Sequence, residues 1–230
     1  MRKKYIVQDN KYLKPYERER VKVIERLLPT IIGDRPALDL GCGSGYFSRM
    51  LIDRGWKVTA VDAEEENIAE ALRFAVKGIV GRLPEALDEL RGERFELVLM
   101  LELIEHLERR QGEALLATLG GLVADGGHLL VSTPNRCSLP GLRHYYWGEL
   151  IKGAGKWEAW DDTHQYVYGS WEFLRLLRSL GWKILQVAGY WYAGDFPLGI
   201  RVRMPFLSAG SFPLNRFGFD LIVLCRKEPA

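Results

Sequence analysis

The chain has 230 residues, 47% hydrophobic and 27% charged, an ordinary balance for a globular protein and enough length for one substantial domain or a domain with a small cap. No apolar run follows Met1-Arg-Lys-Lys and nowhere do roughly 18 apolar residues run together, so neither a secretory leader nor a membrane span is expected and the protein reads as cytoplasmic. The three cysteines, Cys42, Cys137 and Cys225, are odd in number and far apart, which argues against a disulfide framework or a zinc knuckle. The net charge of +2 hides basic ends (residues 1–30 and 196–230) around an acidic middle. Solvated surface accounts for the ends, and no basic stripe of a dedicated nucleic-acid binder is present.

In chain order, residues 1–14 look irregular. Val21, Val23, Ile24, Leu27 and Leu28 give an amphipathic helix over Tyr16 to Leu28, stopped by Pro29. Residues 1–30 are therefore a helical cap on a main domain of residues 31–230. The helix either packs on the sheet or brings Tyr12 and Tyr16 over a ligand mouth, and packing is the simpler role. Ala37–Leu40 is a buried strand, Gly41, Gly43 and Gly45 turn the chain, and Tyr46–Arg54 has helical spacing. Lys57–Val61 is a β-branched strand ending at Asp62, and Ile68, Ala71, Leu72 and Ala75 form a helix face.

Lys77–Val80 is a short third strand, followed by a helix near Glu85–Leu90. Phe95–Leu101 is an apolar fourth strand suited to the sheet centre. Glu113–Val123 is a helix, Asp125-Gly-Gly a turn and His128–Ser132 a fifth strand. Ser170–Leu180 is a helix capped by Gly181, with strands at Trp182–Val187 and Phe219–Cys225. Alternating strands and helices predict a doubly wound, mostly parallel α/β sheet of seven strands with helices on both faces. Two stretches, 136–168 and 191–217, exceed the minimal fold. Fourteen of the 26 aromatic residues lie between Tyr145 and Phe196, including Trp147, Trp157, Trp160 and Trp191. They form either an aromatic lid over an apolar or planar substrate or a satellite cluster that buttresses the domain.

The strand, glycine turn and helix start make a nucleotide-binding corner. Asp39 decides which nucleotide. A carboxylate beneath the turn would repel a pyrophosphate, and Tyr46 stands where the dinucleotide fingerprint needs its third glycine. A cofactor with a cationic amino-acid end would welcome that carboxylate, and S-adenosylmethionine (SAM) has one. Asp39-Leu-Gly41-Cys-Gly43-Ser-Gly45 resembles the first motif of the class I SAM-dependent methyltransferases, Asp/Glu-x-Gly-x-Gly-x-Gly. Leu101-Glu102-Leu-Ile-Glu105-His106 and Gly126-Gly-His-Leu-Leu-Val-Ser-Thr-Pro-Asn135 resemble further signatures of the family. They point to the branch with ubiquinone-pathway O-methyltransferases and small-RNA 2′-O-methyltransferases.

The resemblance covers roughly residues 35–190 plus the last strand, which in the family is antiparallel. It implies SAM as cofactor, held by Asp39, Gly41, Gly43, the ribose-binding Asp62 with the adjacent Ala63, and Leu101 with Glu102. It also puts Arg82 and Leu83 along the adenine, without the acid that the family often has there. Asp62 can equally cap the helix beginning near Glu64.

Methyl transfer from a sulfonium is an in-line displacement dominated by positioning, and a base is needed only if the acceptor loses a proton. His106 and His164 are the candidate bases. His106 can equally be a helix-end residue bonded to the backbone. Glu102, Glu105 and His106, spaced to share a helix face, could with His164 hold a divalent metal that acidifies an acceptor hydroxyl, as the small-RNA enzymes imply. Such faces are more often simply solvated, and no metal is favoured. The reading is thus a SAM-dependent methyltransferase acting on a small or lipid-like acceptor, at oxygen before nitrogen or carbon. An RNA methyltransferase and a non-catalytic SAM-binding protein are the alternatives, nucleic acid being the less expected partner.

Overall fold

A computed structural model describes residues 15–29, 34–138, 163–189 and 214–228. Residues 139–162 and 191–213 of the proposed insertions fall outside these residues, as do Tyr12, Trp147, Trp157, Trp160 and Trp191, while 136–138, 163–168 and 214–217 are described. A leading helix α1 (Pro15–Leu27) precedes seven strands. These are β1 (Pro36–Leu40), β2 (Lys57–Asp62), β3 (Lys77–Val80), β4 (Phe95–Leu101), β5 (Val123–Pro134), β6 (Trp182–Gly189) and β7 (Asp220–Lys227). Between them lie α2 (Tyr46–Ile52), α3 (Glu65–Ala71), α4 (Arg109–Leu122) and α5 (Ser170–Ser179), with short 3-10 turns at Glu85–Leu90, Ile104–His106 and Leu214–Arg216.

The sheet order is β3-β2-β1-β4-β5-β7-β6. The pairs from β3 through β5 are parallel, and β7 runs antiparallel to both β5 and β6. This is the doubly wound sheet with an inserted antiparallel last strand that the sequence predicts. Alternation along the central strands supplies both faces. Val98 and Met100 of β4 enter one core layer with Leu115, Leu119, Phe173 and Leu177 of α4 and α5. Leu97, Leu99 and Leu101 enter the other, with Val23, Ile24 and Leu27 of α1 and Leu51 of α2. The leading helix therefore packs on the sheet.

Several boundaries differ from expectation: the helix expected from Glu113 begins at Arg109, and β6 and β7 each run two residues further, to Gly189 and Lys227. The turn read at Asp125-Gly-Gly lies inside β5. There Val123 pairs with Phe95 and His128 with Leu97, so the chain bulges between them, with Gly126 at φ +77°. A bulge and a turn draw on the same glycines, and a single sequence does not separate them. Helix α2 stops at Ile52, two residues early, because Asp53 and Gly55 close its end.

The order of the sheet places the site. Strand order reverses between β1 and β4, and ligands of open α/β sheets bind outside the carboxyl ends of strands at such a crossing. The glycine turn after β1 and the Glu102–His106 loop after β4 both emerge there. They touch: a Cβ built on Gly41 would sit 3.0 Å from Leu103 Cδ1.

Candidate active site

The corner after β1 is held by β2. The Gly41 and Cys42 amides both donate to the Val61 carbonyl, at 2.8 and 3.1 Å. Gly41, Gly43 and Gly45 have φ of +67°, +52° and +81°, which other residues rarely adopt. Two of them differ in what surrounds them. A Cβ at Gly45 would lie 3.0 Å from Ala71 Cα, so glycine there admits α3, whereas no atom of the described residues lies within 4 Å of a Cβ at Gly43. The Gly43 side of the turn is thus an open cradle that a ligand can approach closely.

Asp39 lies beneath this turn, 2% exposed, with Oδ2 accepting a 2.7 Å hydrogen bond from Ser48 Oγ. Burial pushes its pKa up from 3.8 to about 6, against the Ser48 hydrogen bond and with help from the Asp62 charge. Asp39 is therefore a buried charge aimed at the turn from below. Asp62, at the end of β2, accepts three hydrogen bonds: Oδ2 from the Gly43 amide at 2.9 Å, and Oδ1 from the Glu64 amide at 3.0 Å and Asn67 Nδ2 at 2.9 Å. Both roles anticipated for Asp62 are compatible with this. It fastens the start of α3 and the glycine turn, and a carboxylate with roughly four lone-pair sites keeps one for a ribose hydroxyl. Ala63 and Arg82 are exposed, and Leu83 packs partly against the core.

After β4 the chain turns at Glu102, whose φ of +52° makes it the one non-glycine positive-φ residue among those described. Its backbone is tied to β5, with its N–H donating to the Ser132 carbonyl at 3.2 Å and to Ser132 Oγ at 3.1 Å. Ser132 Oγ donates in turn to Glu102 Oε1 at 2.7 Å. Arg20, reaching over from α1, meets Glu102 Oε2 at 2.7 Å and Asp220 Oδ2 at 3.6 Å. Single-sequence reasoning missed Arg20, Ser132 and Asp220 as site residues. Ser132 stood inside a quoted signature, while nothing in one sequence shows which residue of a helix crosses a strand end.

Glu105 is 1% exposed, and its Oε2 has no hydrogen-bond partner among the described residues. Burial first, then the neighbouring Glu102 charge, hold its carboxyl well above the usual carboxylate range. Its carbonyl accepts from the Gln165 and Tyr166 amides at 2.7 and 3.1 Å, drawing residues 163–169 against the β4 loop. The His106 and His164 rings consequently meet edge to face, centroids 4.9 Å apart. His106 Nδ1 also faces Thr163 Oγ1 at 3.0 Å.

The two candidate bases are thus brought together at one site. Glu105, His106 and His164 offer ligand atoms within 4.8 Å of one another. Glu102 does not share a helix face with them. Only Ile104–His106 is helical, as a 3-10 turn, and the left-handed backbone at Glu102 sends its carboxylate to Ser132 and Arg20.

The sheet order, with its inserted antiparallel β7 and the glycine turn at its crossing, is the class I methyltransferase architecture. A methyltransferase-domain family profile matches residues 12–187, and the chain belongs to that family.

Among curated relatives it is 33% identical over 138 residues to a ubiquinone biosynthesis O-methyltransferase of Rickettsia bellii, covering 59% of this chain and 55% of that protein. It is 40% identical over 104 residues to the protein of the same name from Caulobacter sp. (strain K31), covering 43% and 40%. The chain thus spans about half the length of the curated relatives it matches. Its fold is that of a SAM-dependent methyltransferase from Archaeoglobus fulgidus, with TM-score 0.66 and 20% identity over 91% of this chain and 94% of that one. It is also that of the N-methyltransferase NodS from Bradyrhizobium japonicum WM9, solved with S-adenosyl-L-homocysteine (SAH), with TM-score 0.62 and 17% identity over 94% and 89%.

Proposed function

We propose that the chain transfers a methyl group from SAM to a hydroxyl of a small, lipid-like aromatic acceptor of the ubiquinone-precursor kind. The buried Asp39 beneath the open Gly43 cradle carries the cofactor half of this reading. A cationic amino-acid end over the turn offsets that buried charge, while a diphosphate would add to it. Asp39, Gly41 and Gly43 would hold the amino-acid end, and Asp62 with Ala63 the ribose. Arg82 and Leu83 would lie along the adenine, and Leu101 with Glu102 would close the far side. When bound, SAM supplies an electrophilic methyl on a sulfonium. The acceptor half rests on the ubiquinone-pathway names of the relatives and on the imidazole pair beside the β4 loop.

The protein's own part in the transfer follows from the loop. Neutral His106 or His164 accepts the hydroxyl proton as the acceptor oxygen attacks, so the oxygen reacts with anionic character at neutral pH. The fixed β4 loop, tied to β5 through Ser132 and to α1 through Arg20, keeps that base in place, which is how positioning lowers the barrier. The test is direct. Purified chain should bind SAH in calorimetry and, with SAM and a catechol, give an O-methylated product by mass spectrometry. Failure to bind SAH would remove the reading.

A further inference from the structure

Residues 163–169, which carry His164, are anchored at Tyr168, whose ring is buried and whose carbonyl accepts from the Arg136 amide at 3.0 Å, and at a carboxylate of the next helix. Glu172, in the first turn of α5, accepts from Tyr166 Oη at 2.5 Å and from Arg136 Nη2 at 2.8 Å. Arg109 Nη2 lies 3.4 Å from the same oxygen that Tyr166 uses, and the Gly169 amide reaches the other at 3.4 Å. One side chain thus joins the start of α4, the loop after β5, the His164 segment and α5.

The Tyr166 ring is framed by the two cations, with the Arg109 guanidinium 5.4 Å and the Arg136 guanidinium 5.9 Å from its centroid. Its edge meets Tyr168, centroids 4.8 Å apart. The Tyr166 hydroxyl is half-buried, and burial with the Glu172 contact raises its pKa, so it remains the donor. None of these groups belongs to the cofactor corner, and the proton step does not use them.

We infer that Glu172, through Tyr166, is the positioning residue that sets His164 against His106. This rests on the proposed methyl transfer only for its catalytic consequence. The Tyr166 backbone is already pinned to the Glu105 carbonyl at 3.1 Å. With Tyr168 anchored on the C-terminal side, pinning the hydroxyl at the far end of the Tyr166 ring fixes the rotation of the His164 end of the segment. His164 lies two residues away, so rotation there translates into displacement of its imidazole. A base displaced by about 1 Å loses reaction rate on the order of a hundredfold, while a cofactor held by other residues binds as before. Glu172 and Tyr166 therefore act as one unit: either loss should do most of the damage, and the double loss little more.

The test uses Tyr166→Phe, which removes one oxygen, with Glu172→Gln as a second variant that keeps the side-chain length. In full-length protein labelled at histidine, the nuclear Overhauser contact between the His106 and His164 rings should be present in the wild type. It should be lost or strongly weakened in both variants. With SAM and a catechol, kcat should fall by about tenfold or more in each and scarcely further in the double variant, with KM for SAM within about twofold. A persistent ring contact in both variants overturns the inference, as does an unchanged kcat in an active enzyme. If the wild type proves inactive on catechol, the ring contact alone decides, so this inference and the proposed function fail separately.

Discussion

Asp39→Asn separates the electrostatic argument from packing, because the amide keeps the shape and the Ser48 hydrogen bond and removes only the charge. The folded chain holds a proton on Asp39 up to about pH 6, the unfolded chain only to 3.8. Between these values the folded state binds more protons, so stability falls as pH rises through that window. The full cost of the buried charge is about 3 kcal/mol at pH 8, roughly half of that at pH 5, and it vanishes near pH 3. The unliganded Asp39→Asn protein should therefore melt several degrees above the wild type at pH 8, with the gap closing in acid.

Binding should move the opposite way. The ammonium of SAH does not titrate between pH 5 and 8, but only about one tenth of Asp39 is ionised at pH 5, so wild-type affinity for SAH should be about tenfold weaker at pH 5 than at pH 8. The variant should show a flat pH profile. At pH 8 its affinity should be lower by about tenfold or more, from loss of an interaction of about 1.5–3 kcal/mol. Calorimetric titration with SAH across this range decides the matter. A flat wild-type profile, or one that Asp39→Asn leaves in place, refutes the idea that this charge selects the ligand.

Asp62→Ala removes three hydrogen bonds at once and should weaken SAH binding by about tenfold or more, measured by the same calorimetry. Two glycines of one turn should respond differently. Gly45→Ala, at φ +81° and 3.0 Å from Ala71 Cα, should cost about 1–3 kcal/mol and lower the melting temperature. Gly43→Ala, facing open space, should cost about 1 kcal/mol or less and act chiefly on SAH affinity. His106→Asn should lower kcat on catechol by about a hundredfold or more with SAH affinity unchanged. An equal loss of affinity would make His106 a binding residue instead.

What the sequence carries of this molecule is local. An apolar run before three alternating glycines gives β1 and its turn, because burial and positive φ are each written in single residues. Phe95–Leu101 is read to the residue, since a strand covered on both faces must be apolar throughout. The bulge in β5 is lost, because Gly126-Gly127 serves a turn as readily as a register shift. The site divides in the same way. Asp39, Asp62 and the glycines of the candidate site stand in one contiguous βαβ stretch, so spacing is enough to pick them out. Arg20, Ser132 and Asp220 enter through side chains that meet at strand ends far apart in the chain, and Glu172 through contacts to a helix and two loops. The i, i+3, i+4 spacing of Glu102, Glu105 and His106 misleads for a comparable reason: the pattern presumes a helix, and one left-handed residue at Glu102 breaks it.

That residue also explains why acids crowd an edge of the sheet where they repel one another. Glu102 and Asp220 converge on Arg20, and burial with the Glu102 charge raises the pKa of the nearby Glu105. A left-handed glutamate costs on the order of 1–3 kcal/mol and persists only where its surroundings over-determine it. Here Ser132 bonds both its backbone and its side chain, and Arg20 takes its remaining oxygen. Relaxing Glu102 to an ordinary φ would swing the Ile104–His106 turn away from the glycine corner, which Leu103 now touches at Gly41. The strained turn thus holds His106 at the strand crossing, and the Glu105 carbonyl brings the His164 segment to it. The leading helix, which on packing grounds alone is only a cover for the sheet, takes part by supplying the cation that makes the strained turn tolerable.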